Sequence, residues 1–527
     1  MQAHLLYQIS QIRQLEQSAK TALAPGNLMQ AAGAAAAKLA AQLIDEAHAK
    51  SPRLSNIDSH RAICILAGPG DNGGDAFEVA YQLARLDQAN QLQIHVLVCG
   101  SIEDYSDDAK LSLHRAKSRN CRWLQLDEIQ KFDPKQYILI VDGLFGIGLN
   151  RPITGEIASL IEAINKQVHQ ISQCPVLALD VPSGLNANTG QIIGSGAVGI
   201  ALIASHTITF IGNKPGLHTA QGKDYAGVVR VDDLGVEKHL YPAPYARLST
   251  RAELSTLVKP RKQDSNKGSY GDVIVVGGGA GMQGAPLLAG RAALYTGAGR
   301  VHVEFVEAFS GIDFSHPELM CRLAESSDFS AKNLVIGPGL GDSQKAIAIL
   351  RLGLVQTPTI VIDADALNLL SKHADLAQLC RDRSLQSWHT IITPHPLEAA
   401  RLLNCSATDV QNDRCQAAQT LAKKFQATVV LKGAGSVIAD QEHITINSSG
   451  NPALATAGTG DVLAGVCGTL LAQGLNALDV ARLATFIHGL AADDCVKNGL
   501  GPIGLSASEI IPAIRTALNQ LVYPNHN

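Results

Sequence analysis

The chain has 527 residues, more than one hydrophobic core normally spans, so several domains are expected and two large α/β domains fit best. Charged residues make up 17% of it and the net charge is -4, so no global field favours an anionic ligand. There is no basic stripe for nucleic acid, no Lys/Arg-rich amphipathic segment for a membrane surface, and no run of ~20 apolar residues to span a bilayer.

The 10 cysteines are scattered without a CxxC pair, which points to free thiols in a reducing compartment rather than to disulfides or a metal cluster. Residues 1–20 lack a cationic start followed by an apolar run, so no signal peptide is expected there and a cytoplasmic location is. Leu5, Ile9, Ile12 and Leu15 recur at helical spacing, and the Ala-rich run Leu28–Ala47 predicts a helix able to pack closely on a sheet.

Short apolar runs then alternate with helical stretches. They are Ala62–Ala67, Ile94–Cys99, Tyr137–Val141, Val176–Leu179, Thr207–Ile211 and Val228–Val231. Continuous apolar strands between helices predict a parallel sheet covered on both faces. The stretch around Tyr241-Pro242-Ala243-Pro244 has no periodicity and reads as a linker, placed at 239–249 between domains 1–238 and 250–527. The alternation restarts with Val273–Val276, Val301–Phe305, Leu334–Ile336, Thr359–Ile362, Thr390–Ile392 and Thr428–Leu431. A hairpin of Ser436–Ala439 with His443–Ile446 and a helical region from Val462 onward finish the second domain. The two halves share the α/β pattern but no repeat, so they read as two different α/β domains.

Three strand ends of the first domain carry chemistry. Ala67 runs into Gly68-Pro69-Gly70-Asp71-Asn72-Gly73-Gly74-Asp75, a loop whose amides would face an anion at a helix N-terminus. Val141 leads to Asp142-Gly143-Leu144-Phe145-Gly146-Ile147-Gly148-Leu149, and Leu179 to Asp180-Val181-Pro182-Ser183-Gly184. In a doubly wound sheet these ends converge on one edge. Asn72, Asp142 and Ser183 together offer oxygen ligands with one negative charge, suited to a hard cation, and Asp180 remains as an acid/base group.

In the second domain, Gly277-Gly278-Gly279-Ala280-Gly281 follows the first strand, but no acidic residue is placed for a ribose as a dinucleotide fingerprint requires. The most informative segment is Ala457-Gly458-Thr459-Gly460-Asp461, just before an apolar helix. Its amides and the helix dipole make an anion hole, and a carboxylate beside it can take a proton from a hydroxyl during phosphoryl transfer. An isolated Asp there would be a plain helix cap, but the glycines and the Lys432-Gly433-Ala434-Gly435-Ser436 loop favour a site.

The three N-terminal motifs resemble those of the NAD(P)H-hydrate epimerase family over roughly residues 1–235. The resemblance implies that Asp71, Asn72, Gly73, Gly74, Asp75, the stretch Gly146, Ile147, Gly148, Leu149, Asn150, Arg151, Pro152, and Asp180 bind substrate, and that Asn72, Asp142 and Ser183 hold K+. Asp71 and Ala76 depart from the family's usual Asn and Gly, which puts the epimerase activity to question at the loop. From about 250 to 520, Asn266-Lys267-Gly268-Ser269-Tyr270-Gly271, Thr393-Pro394-His395-Pro396-Leu397-Glu398 and Ile487-His488-Gly489, with the motifs above, resemble the ribokinase-like NAD(P)H-hydrate dehydratases. There the resemblance implies hydrate contacts at Ala285, Gly339, Gly341, His395 and Asp461, and ADP contacts at Lys432, Gly433, Ala434, Gly435, Ser436, Gly458, Thr459 and Gly460.

The expected fold class is therefore an N-terminal Rossmann-like doubly wound sheet joined to a C-terminal ribokinase-like sheet. Having both in one chain resembles the bifunctional NAD(P)H-hydrate repair enzymes. That implies NADHX and NADPHX as substrates, ADP with Mg2+ as co-substrate, Asp461 and Asp180 as catalytic residues, and a homotetramer or larger. A small-molecule kinase, a non-catalytic nucleotide sensor, and an inactive N-terminal scaffold stay open as alternatives.

Overall fold

The computed structural model describes residues 3–22, 26–50, 61–87, 92–101, 103, 105–125, 133–171, 174–194, 199–309, 311–324, 328–330 and 332–524. The chain forms two compact units, Met1–Ala246 and Arg247–Asn527. The stretch read as a linker is not free chain. Leu240 and Tyr241 pack on an apolar cluster of the first unit with Tyr7 and Ile12, and Tyr241 Oη donates to the Ile211 carbonyl at 2.7 Å. Prolines remove periodicity there without removing apolar contacts.

In the first unit, helices α1 (Ile9–Ala22) and α2 (Asn27–Lys50) precede strand β1 (Arg61–Ala67) and helix α3 (Asp71–Leu86). Strands β2 (Leu92–Val98), β3 (Arg122–Gln125), β4 (Tyr137–Gly143), β5 (Val176–Leu179), β6 (His206–Phe210) and β7 (Val228–Asp232) follow, with helix α4 (Gly155–Ile171) after β4. The sheet order is β3-β2-β1-β4-β5-β6-β7, and every neighbouring pair is parallel. Its order reverses between β1 and β4, the crevice where doubly wound sheets bind ligands.

Alternation along β1 builds both cores. Ile63 and Ile65 face α2 and α3, whereas Cys64 and Leu66 face α4 through Leu160, Ile161 and Ile164. Each such buried branched side chain contributes about 1.5–3 kcal/mol. The Ala-rich sequence of α2 has a direct purpose, since Ala32, Ala36, Ala37 and Ala40 are all buried. Gly33 lets α2 approach α3, because a Cβ there would lie 2.3 Å from Glu78 Cγ. Strand β3 is absent from the sequence reading because Arg-Trp-Leu-Gln at the sheet edge is short and not fully buried.

The second unit contains β8 (Asp272–Gly277), β9 (Arg300–Phe305), β10 (Met320–Leu323), β11 (Asn333–Ile336), β12 (Thr359–Ile362), β13 (His389–Ile392), β14 (Thr428–Leu431), β15 (Val437–Ala439) and β16 (Ile444–Ile446). They run in the order β16-β15-β14-β13-β12-β11-β8-β9-β10. Pairs are parallel except β14 with β15 and β15 with β16, the hairpin expected from the sequence. The edge strand β10 is a second one the sequence reading lacks, again with mostly exposed residues.

Helices α5 (Gly284–Thr296), α6 (Pro396–Leu403), α7 (Thr459–Ala472), α8 (Ala477–Lys497) and α9 (Ala507–Val522) complete this unit. Helices α5, α7, α8 and α9 share a core with Val273, Val275, Val303, Val335 and Val361. Helix α7 is apolar nearly all round because it is the central layer of that core. Its Gly465 touches α5 so closely that a Cβ would lie 2.0 Å from the Ala289 carbonyl oxygen. Strand β9 bears Glu304, but this residue is fully buried and receives Arg322 Nε at 2.8 Å. Its carboxylate is engaged in that ion pair inside the fold, so it does not stand free at the strand end beside the glycine run after β8.

Candidate functional sites

A cavity of about 540 Å³ opens in the first unit, lined by Asp71, Asn72, Asp75, Asp180 and the whole Phe145–Arg151 segment. The loops are brought together by close backbone approach. A Cβ on Gly68 would lie 1.8 Å from the Leu144 carbonyl oxygen, so only glycine lets the first loop lie against the second. Gly73 and Gly74 serve packing instead of lining the cavity, since Cβ atoms would strike the Gly68 carbonyl oxygen and Met29. Pro152 also lies outside the lining and packs near Gly194.

Asp142 and Ser183 form a tight unit beneath the cavity. Ser183 Oγ donates to Asp142 Oδ1 at 2.6 Å, Ser183 N–H donates to Oδ2 at 2.8 Å, and Leu144 N–H donates to Oδ1 at 3.1 Å. Burial nonetheless pushes the Asp142 carboxyl up to about 6. Asn72 is buried, and its Nδ2 has no hydrogen-bond partner. Its side chain lies under the Gly146 loop, 3.4 Å from where a Cβ on Gly146 would be. Asp142 and Ser183 offer a desolvated carboxylate and a hydroxyl oxygen, the donor type a monovalent cation takes, whereas the unpartnered Asn72 atom is an N–H donor and does not add to it.

Asp180 adopts φ 65, a left-handed conformation rare outside glycine. The fully buried Lys214 donates to Asp180 Oδ1 at 2.7 Å. Lys214 Nζ also donates to Thr209 Oγ1 at 2.6 Å and to the Phe210 and Gly212 carbonyls at 3.1 Å. Thr209 Oγ1 and Phe210 N–H approach the same Asp180 oxygen at 3.3 Å. One oxygen is thus held by the protein, and Oδ2 is left to the cavity.

Sequence reading missed Lys214 because it belongs to no motif. It also missed Arg13, Glu16 and Lys20 of α1, which line the cavity at helical spacing. The helical periodicity that identified the apolar face of α1 also fixes this polar one. Burial and the Asp180 charge raise the Glu16 carboxyl.

In the second unit the site is gathered at the carboxyl ends of β8 and β11 to β14. Asp363, just after β12, is 1% exposed and accepts from Thr393 Oγ1 and Lys432 Nζ, both at 2.8 Å. Lys432 Nζ is also 4.0 Å from Glu398 Oε2, and burial pushes the Glu398 carboxyl up to about 7. Asp461 is the third residue of α7. The helix is capped by Gly458 at φ 88 with no side-chain cap, so Asp461 is not the N-cap. Burial and then the Asp363 charge push its carboxyl up to about 7 against the opposing pull of Lys432. A Cβ on Gly460 would lie 3.1 Å from Lys432 Nζ, which places the lysine directly beside the glycine turn. First-turn amides of α7 are orphan donors by helix geometry.

The structure qualifies two residues of this loop set. Thr459 Oγ1 donates to the Leu454 and Thr456 carbonyls, both at 2.9 Å, so its hydroxyl shapes the turn. His395 caps α6, its Nδ1 accepting from Leu397 N–H at 3.1 Å and Glu398 N–H at 3.3 Å. That bonding selects the Nε2–H tautomer, and Nε2 lies 3.3 Å from Glu398 Oε1. Burial lowers the His395 pKa, with Lys432 adding to the effect, which favours the neutral ring with its Nε2–H as donor.

The remaining residues read from sequence share this end of the sheet. Gly279 N–H donates to the Gly339 carbonyl at 2.6 Å, and a Cβ on Gly339 would lie 3.3 Å from Ala285 Cβ. Gly341 N–H donates to Asp365 Oδ2 at 2.9 Å. The Lys432–Ser436 loop is supported by the buried Arg414, which donates to the Lys432 carbonyl at 3.2 Å, and Gly433 N–H donates to Ser436 Oγ at 3.2 Å. His488 is buried, and desolvation pushes it down to about 4, so it is neutral. A larger cavity of about 1170 Å³ in this unit is lined by Arg261, Tyr270 and Tyr523 and includes none of Asp363, Lys432 or Asp461.

Two unlike α/β units, one with a carboxylate cavity over a cation-type oxygen cluster and one with a carboxylate at a glycine anion hole, define a fused pair of nucleotide-type enzyme domains. Residues 25–216 match the YjeF-related protein N-terminus family, and residues 273–515 match the NAD(P)H-hydrate dehydratase family. The chain is 37% identical to a bifunctional NAD(P)H-hydrate repair enzyme of Coxiella burnetii, over 98% of this chain and 99% of that one. It is 35% identical to the enzyme of that name from Escherichia coli, over 88% and 86% of the two chains. A crystal structure of an ADP/ATP-dependent NAD(P)H-hydrate dehydratase from Bacillus subtilis, co-crystallised with ATP/Mg2+, is 24% identical, with TM-score 0.45 over 52% of this chain and 98% of that one. The chain belongs to the family of bifunctional NAD(P)H-hydrate repair enzymes.

Proposed function

We propose that the second unit dehydrates (S)-NADHX and (S)-NADPHX at the expense of ADP, and that the first unit interconverts the R and S hydrates. The observation that carries the reading is Asp461, half-buried with its carboxyl pushed up to about 7, at the mouth of the Gly458–Gly460 turn. A base poised near neutral pH suits removal of a hydroxyl proton. Asp461 takes the proton from the C6 hydroxyl as its oxygen attacks the β-phosphorus of ADP, and AMP leaves. The amides at the start of α7 stabilise the phosphoryl charge, with Lys432 beside them. The C6–O bond then breaks, phosphate departs, and loss of a C5 proton restores the reduced nicotinamide.

Asp461→Asn is expected to abolish dehydration while ADP still binds, as read by NADH absorbance and by calorimetry. Substantial residual dehydration would remove Asp461 from this role. Release of AMP and phosphate with restored NADH also separates the reading from a kinase, which would leave a stable phosphate ester.

In the first unit, Asn72, Asp142 and Ser183 would hold K+, which supplies a fixed positive charge near the phosphates of the hydrate. Mg2+ would accompany ADP in the second. The 10 cysteines are free thiols, as suits a reducing, cytoplasmic location. A homotetramer or larger assembly follows from the family resemblance, and light scattering tests it.

A further inference from the structure

Among the carboxyl groups that line the first cavity, Asp75 and Asp180 stand in opposite circumstances. Asp180 is ion-paired through Oδ1 with the buried Lys214. Asp75, in the first turn of α3, lines the same cavity. The charged groups acting on it are Asp180, Asp71, Glu16 and Lys20, three anions against one cation. Lys214 is committed to Asp180 and to the Phe210 and Gly212 carbonyls. Burial, followed by the Asp180 charge, raises the Asp75 carboxyl well above the ordinary carboxylate range. The cavity therefore presents a lysine-paired carboxylate and a second carboxyl whose protonated form is favoured by burial.

We propose that Asp75 is the general acid that works with Asp180 as general base in hydrate epimerisation, a role that rests on the epimerase reading above. The carbon to be inverted, C6, carries both a hydroxyl and the ring nitrogen N1, so it is a carbinolamine. Asp180 Oδ2 takes the hydroxyl proton, the C6–O bond becomes a carbonyl, and the N1–C6 bond breaks. Its electron pair goes to N1, which takes the proton of Asp75. The open aldehyde turns about the C5–C6 bond. N1 then attacks the opposite carbonyl face and returns its proton to Asp75, while Asp180 returns its proton to the oxygen. Nothing is consumed, and both carboxyl groups end as they began. One carboxylate alone cannot serve both ends of this transfer at once, which is why the contrast between the two groups matters.

The test follows R-to-S conversion by the full chain, with no ADP present so that dehydration does not contribute. Wild type is expected to lose kcat as pH rises through the Asp75 pKa, because the acid must be protonated. Asp75→Asn is expected to lower kcat about 100-fold, keep KM within about threefold, as expected for a group used mainly in the transition state, and lose the alkaline limb. Asp75→Glu keeps that limb at reduced kcat, which also shows that the loop still folds. Glu16→Gln retains the limb, since Glu16 is the other raised carboxyl of the cavity. The proposal is overturned by wild-type kcat in Asp75→Asn, by an alkaline limb that persists in it, or by loss of the limb in Glu16→Gln instead. A wild-type chain that does not interconvert the epimers at all overturns the epimerase reading beneath it, a distinct result.

Discussion

Each unit sets a lysine against carboxylates, Lys214 fully buried and Lys432 partly exposed, but the lysines are spent differently. Lys214 bonds the very carboxylate that faces the cavity, Asp180, and nothing else in its shell is negative. Lys432 bonds Asp363 at 2.8 Å and approaches Glu398 at 4.0 Å, leaving Asp461 at the glycine turn without a direct cation. The first arrangement pairs one cation with one carboxylate. The second shares one positive charge among several acids, and burial pushes Glu398 and Asp461 up to about 7 against the pull of Lys432. In the first unit the lysine therefore bonds the working carboxylate directly, whereas in the second it acts on Asp461 only through space.

The sharpest way to break this contrast is to remove each lysine. Lys214→Met leaves Asp180 partly buried with no cation, and is expected to cost about 3–5 kcal/mol, as for other broken buried pairs. Thermal unfolding should show the loss in the first unit's transition, with part of it regained in the Lys214→Met/Asp180→Asn double variant. Lys432→Met should cost less stability, because protons can replace the lost cation on acids that already titrate near 7. A loss in Lys432→Met as large as that in Lys214→Met would show that the two pairs are equivalent after all.

The activity of the second unit sharpens it further. Asp461 must be ionised to act as base, so kcat/KM for dehydration should rise about tenfold per pH unit below about 7 and level off above it. The Lys432 cation lowers the Asp461 pKa, so Lys432→Met should move this limb upward and cost about fivefold in rate at pH 7 for the first unit of movement. A limb that stays at about 7 in the variant would remove Lys432 from the electrostatics of the base.

The two sites were unequally legible in the amino-acid sequence. Gly68, Gly146, Asp180 and Gly458–Asp461 announce themselves because glycines and acids at strand ends break an otherwise apolar alternation. The strands at 176–179, 359–362 and 428–431 were readable to the residue for the same reason, since apolar β-type runs stop sharply at polar turns. Lys214 left no such signal, being a single lysine 34 residues beyond the aspartate it bonds. Asp363 and Glu398 stand within readable motifs, yet their bonds to Lys432 depend on the β12-β13-β14 order, which a one-dimensional pattern does not carry. The edge strands at 122–125 and 320–323 escaped because exposed strands need no apolar alternation.

The smallest effect expected comes from Asp71, which stands outside either lysine arrangement. Its side chain is 61% exposed, accepts from Ser106 Oγ at 2.6 Å and lies 3.9 Å from the exposed Lys20. Water and salt screen such a charge, so Asp71→Asn should leave the melting temperature nearly unchanged. It does line the cavity mouth, where the phosphates of a hydrate would pass. Removing its charge should lower KM for epimerisation roughly two- to threefold at low ionic strength, with the gain fading as salt approaches the Debye limit of about 8 Å at 0.15 M. The control in the comparison is kcat, which should not move, because Asp71 neither pairs with a buried lysine nor carries a transferred proton. A KM that rises instead would mean that the Asp71 carboxylate attracts something the hydrate needs, the bound cation first among them, and the departure at this position from the family's usual asparagine would then be a second acidic contribution to that ion's field.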